Sequence, residues 1–92
     1  MTPEMNQKAI EIIVNKINSI EENKLMEKHT AGGLQGLTER EGEAYGMALY
    51  FVQKITGIKF DGKLYENYTA EQIEADKMVK EIASAAIAIT GK

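Results

Sequence analysis

Four tyrosines, Tyr45, Tyr50, Tyr65 and Tyr68, and three lysines, Lys54, Lys59 and Lys63, form the densest aromatic and basic run of this 92-residue chain. A phenol kept half wet suits a protein interface, because it offers a flat apolar ring and a polar rim. The same set could stack on a base or hold a phosphate. Carboxylates are the next candidates. Glu39 and Glu43, and likewise Glu71 and Glu74, stand about one helical turn apart, where two carboxylates can share a divalent ion or divide acid and base roles. Yet Glu39, Glu41 and Glu71 fall in expected first turns of helices, where the dipole alone favours acids. A two-helix carboxylate metal site also brings Glu-x-x-His motifs. The single histidine, His29, is not placed in one, and it leaves no room for HExxH. His29 reads as a favourable charge at a helix end or as a plain surface residue, since no spacing supplies an orienting acid and a nucleophile. With no cysteine, thiolate chemistry, disulfides and cysteine-bound zinc are excluded. The expectation is a non-enzymatic protein without a cofactor.

Charge narrows the partners. The formal net charge is -3, and phosphate backbones are normally met by a Lys/Arg surplus. No third of the chain is basic: residues 1–30 carry four Lys against five Glu, residues 31–60 carry three cations against three acids, and residues 61–92 carry four Lys against six acids. Nucleic acid is therefore a poor partner. No leader is legible at the start, and the late run "IASAAIAIT" falls short of the roughly 20 apolar residues a bilayer span needs. A cytoplasmic protein with no membrane contact is expected. The Asn67-Tyr68-Thr69 glycosylation pattern then reads as accidental.

The elements that would position these residues are helical. Thr2 is an N-cap with Pro3 at the first helical position, and Ile10, Ile13, Val14, Ile17 and Ile20 share one face. Leu25 and Met26 leave that stripe, four asparagines (6, 15, 18 and 23) weaken the segment, and Gly32-Gly33 is its expected stop. "TAGGLQG" reads as a connection, because the P-loop spacing GxxxxGK[ST] is missing. Thr38 and Glu41 form a capping box for a second helix. Its core face is Ala44, Met47, Ala48, Phe51, Val52 and Ile55, and Gly57 ends it. Asp61-Gly62, between Ile58-Lys59-Phe60 and Lys63-Leu64-Tyr65, signals a hairpin or an ordered turn that packs through Phe60 and Tyr65 or Leu64. Thr69 and Gln72 cap a third helix with Ala75, Val79, Ile82, Ala86 and Ile89 on its core face and Met78 and Ala83 at the edges. Its end is apolar nearly all round, as in a helix that buries its far side in another molecule.

Two glycines break a rule. Gly42 and Gly46 interrupt the second helix, and each costs about 1 kcal/mol against Ala. Stepping about 100° per residue places them opposite the core face with Leu49 and Gln53, flanked by Tyr45 and Tyr50. Glycines there permit close approach of another backbone, from this chain or a neighbouring subunit.

The expected fold is all-α: one domain over residues 1–92, with three helices and a short β-hairpin or ordered turn between helices two and three, packed as a homodimer or larger symmetric assembly. The expected function is a small regulatory or inhibitory protein acting by protein–protein contact. Its surface comprises Arg40, Gly42, Tyr45, Gly46, Leu49, Tyr50, Gln53 and Lys54. A second reading is an oligomer that holds a small anionic ligand such as a nucleotide through Arg40, Tyr45, Tyr50 and Lys54. The third, a DNA-associated regulator, lacks a basic recognition helix.

Overall fold

Thr2 and Pro3 begin the first helix as their residue types require. The Thr2 hydroxyl accepts from the Met5 backbone N–H at 3.2 Å, and α1 runs Pro3–Asn18. The structure is a computed structural model that describes residues 2–26 and 36–90. It contains two further helices, α2 (Glu39–Thr56) and α3 (Ala70–Thr90), with a single 3-10 turn, Tyr65–Asn67, between them. The fold is all-α, and no β-sheet is present among the described residues. None of the described helices is long and apolar enough to cross a membrane.

The first helix ends well before the glycines expected to stop it. Asn18 is its last residue, and Ser19 closes it with both its N–H and its hydroxyl on the Lys16 carbonyl. Asn and Ser residues, as at 15, 18 and 19, are weak helix formers because their side chains can compete for nearby backbone, as the Ser19 hydroxyl does here. Beyond them the chain finds tertiary partners instead. Leu25 pairs with Thr38 in an isolated antiparallel bridge, Met26 N–H donates to Leu37 O at 2.7 Å, and Glu39 N–H donates to Lys24 O at 2.8 Å. Leu25 and Met26 leave the apolar stripe because they are no longer helical. Gly32-Gly33, His29 and most of the "TAGGLQG" connection lie outside the described residues.

The other two boundaries follow the sequence closely. Thr38 and Glu41 make a complete capping box, and Gly57 caps α2 in the left-handed region at φ 76°. For α3, Thr69 N–H donates to Gln72 Oε1 at 2.9 Å while Gln72 N–H donates to the Thr69 hydroxyl at 3.2 Å.

Between α2 and α3 the ordered turn forms and the hairpin does not. Asp61 and Gly62 both take positive φ, 53° and 68°, and Lys63 N–H reaches back to Phe60 O at 3.0 Å. The backbone groups that a strand ladder would need are taken by helix side chains. Phe60 N–H donates to Gln53 Oε1 at 3.2 Å, and Gln72 Nε2 donates to Lys59 O at 2.9 Å. The chain past the turn then enters the 3-10 turn. Phe60 is the buried anchor, its ring tilted against Tyr68 at 5.2 Å between ring centroids, and Leu64 points outward, 64% exposed.

Each helix packs on the other two around Ala9, Ile13, Ile17, Ala44, Ala48, Val52, Ala75, Val79, Ile82, Ala83 and Ala86. Alanines at facing positions let the backbones approach closely. The chain is a slab of 36 × 33 × 16 Å. No helix in such a slab is covered on all sides. That is why Ile89, expected in the core, stands 60% exposed near the end of α3, and why Ile55 lies at the edge, while Ala83 moves from edge to full burial.

Candidate functional site

The outer side of α2 carries the residues with the densest binding chemistry, and the structure divides them. Arg40 turns back along the chain. Its Nε donates to Ile17 O at 3.3 Å, its Nη2 donates to Ile20 O, and its backbone N–H donates to Asn23 Oδ1 at 3.0 Å. The guanidinium thereby closes the end of α1, whose last carbonyls have no helical partner, with a fork of donors that suits several acceptors at once. Gly42 is occupied as well: a Cβ there would overlap Met26 Sδ. The glycine predicted to admit a close neighbour admits a side chain from the segment after α1. Gln53 is committed to Phe60, while Tyr45 and Leu49 are half-buried against the core.

What remains open is a narrower strip. Glu43, Gly46, Met47, Tyr50 and Phe51 line a shallow depression of about 290 Å³. Gly46 is exposed, and a Cβ built on it would meet none of the described residues within 4 Å. Tyr50, 56% exposed, meets Phe51 edge-on at 5.7 Å between centroids. Lys54 Nζ donates to the Tyr50 hydroxyl at 3.3 Å and stands 5.5 Å from the ring centroid. Of the eight sequence candidates, Gly46, Tyr50 and Lys54 come together on this open strip. Arg40, Gly42 and Gln53 are engaged within the chain. Glu43, Met47 and Phe51 join the strip as its walls.

The carboxylates do not converge. Glu74 pairs with Lys77 at 3.1 Å, and among the described residues no three acids or histidines gather closely enough to hold a metal ion.

A second constellation escaped the sequence reading. Asp76 is buried on α3, 2% exposed, with Oδ2 3.1 Å from Lys80 Nζ and with no hydrogen-bond partner on Oδ1 among the described residues. Lys80 Nζ also lies 4.7 Å from the Tyr65 ring centroid, and Tyr65 meets Tyr68 at 5.3 Å. Burial works against the Lys80 ammonium, but the hydrogen bond and charge of Asp76 outweigh it and hold its pKa above 10.5. Burial, followed by the charge of Asp76, pushes the Tyr68 phenol above 10.0. This cluster clamps the 3-10 turn to α3. A signal was present in the sequence: Asp76 lies three residues before Val79 and seven before Ala83, on the apolar face, with a lysine one turn on.

Comparison with known proteins finds no match among family models, curated proteins or solved structures.

Proposed function

We propose that this is a small non-enzymatic regulatory or inhibitory protein that acts by protein–protein contact, and that the open strip of α2 makes the contact. The observation that carries the reading is Gly46. An interior glycine weakens a helix by about 1 kcal/mol, yet none of the described residues occupies the space its missing side chain leaves. That space lies beside Met47, Tyr50 and Phe51, residue types enriched where proteins meet. A partner seated there gains close approach at Gly46 and an aromatic wall beside it.

Gly46→Leu tests the reading. A Cβ at this exposed position meets none of the described residues, so the variant is expected to fold and to unfold at higher denaturant concentration as helix propensity rises. It is also expected to lose the partner or assembly seen for the wild type by native mass spectrometry from cell extract. A variant that gains stability and keeps the wild-type native mass refutes the reading.

A further inference from the structure

We infer that the partner seated on the α2 strip is a second copy of this chain, docked antiparallel across a two-fold axis that passes between residues 46 and 47. The inference rests on the strip being a contact surface and adds what fills it.

The strip is self-complementary. Stepping about 100° per residue, Glu39, Glu43, Gly46, Met47, Tyr50 and Lys54 fall within an arc of about 100°, on the side away from buried Ala44, Ala48 and Val52. Along the helix the acids stand at the first end, glycine in the middle and lysine at the far end. Residues 39 and 54, 43 and 50, and 46 and 47 share one midpoint. An antiparallel copy with that midpoint on the axis therefore sets Glu39 against Lys54, Glu43 against Tyr50 and Gly46 against Met47, each pairing made twice, as an isologous interface requires. A parallel copy would set Glu39 on Glu39 and Lys54 on Lys54.

The groups are available for these roles. Among the described residues, neither Glu39 nor Glu43 forms an ion pair. The Tyr50 hydroxyl accepts from Lys54 of its own helix, which leaves its proton to donate to the Glu43 carboxylate of the other copy. Gly46 leaves room for the other copy's Met47 at the point where the two helices come closest. From Glu39 to Lys54 the strip runs about 22 Å. A single helix pair of this length makes an interface at the small end, below about 1,200 Å² in total, so the dimer is weak and its population depends on concentration.

Sedimentation equilibrium of the purified chain from about 1 μM to about 1 mM, the range of weak contacts, is expected to show a reversible monomer–dimer equilibrium that weakens with salt. Lys54→Glu alone and Glu39→Lys alone each set like charges together twice and are expected to raise Kd about tenfold or more. The double swap Glu39→Lys/Lys54→Glu restores both pairs and is expected to return Kd to within about threefold of wild type. Cysteine placement reads the register directly, because the chain has no cysteine of its own. Under mild oxidation, Gly46→Cys is expected to cross-link to itself. Lys54→Cys alone is not, whereas a mixture of Glu39→Cys with Lys54→Cys is.

A monomer at every concentration overturns the inference. So does a dimer that the double swap fails to restore, or self-cross-linking of Lys54→Cys. A monomer that instead holds a different protein, released by Gly46→Leu, overturns the second copy as partner and leaves the strip a contact surface. A monomer with no partner overturns both.

Discussion

Replacing Lys80 by Met should cost far more than the loss of one partly exposed lysine suggests. The ammonium is the only described partner of a carboxylate that is 2% exposed, at 3.1 Å, and the second carboxylate oxygen has none. Removing one member of a buried pair leaves an uncompensated charge and typically costs about 3–5 kcal/mol. The Lys80 side chain is 35% exposed, so water screens the pair and the lower end applies, about 3 kcal/mol with the lost cation–π contact to Tyr65 included. With an m-value of about 1.5 kcal/mol/M, that moves the urea midpoint down by about 2 M. Asp76→Leu should behave differently, since an apolar side chain in an apolar site needs no partner and Lys80 can reach water. It should be within about 1 kcal/mol of wild type, and Asp76→Leu/Lys80→Met should recover most of what Lys80→Met loses. Lys77→Met, which breaks the exposed Glu74–Lys77 pair, is the control and should change stability by about 0.5 kcal/mol or less. Urea unfolding of the four variants at pH 7, followed by circular dichroism, decides. If Lys80→Met costs no more than Lys77→Met, or if the double variant is as unstable as Lys80→Met, the account of Asp76 as a buried charge dependent on Lys80 is wrong.

Arg40→Ala should destabilise the chain by about 2 kcal/mol, because the carbonyls of Ile17 and Ile20 lose a charged donor. Arg40→Lys should recover only part of that, since one ammonium lacks the guanidinium fork, and hydrogen exchange should speed up first in the last turn of α1. Stability should also fall in alkali. Lys80 and Tyr68 both have folded pKa values above their ordinary 10.5 and 10.0, so the unfolded chain releases these protons first. Their contribution is whole below about pH 10 and is lost as pH rises through the folded values. A midpoint that holds steady or rises from pH 9 to 11 would contradict the cluster.

Much of the architecture was legible because its signals are local. Pro3, the Thr38–Glu41 and Thr69–Gln72 boxes, Gly57 and the Asp61-Gly62 turn each act within about four residues, and each appears where expected. The outer side of α2 was legible in part. Helical projection placed Gly42 and Gly46 on the side away from the core, but it could not distinguish them, because Met26 reaches Gly42 from another segment and no described residue reaches Gly46.

The remaining features depend on neighbours distant in sequence. The Asn and Ser residues around position 18 weaken α1, but Arg40, 22 positions after Asn18, supplies donors to the carbonyls around that end. The hairpin signal at Asp61-Gly62 stops at a turn because Gln53 and Gln72 bind the backbone that strands would have paired. Asp76 and Lys80 are only one turn apart on α3, but the Tyr65 ring beside Lys80 comes from the 3-10 turn. Ile89 is exposed because a thin slab of three helices leaves the end of α3 uncovered. By itself the sequence determined where the caps and turns fall and which face of each helix is apolar, since propensity and periodicity belong to the segment. Only tertiary structure decided which polar groups are satisfied and which part of α2 stays open, since a hydrogen bond or a filled gap belongs to two segments at once.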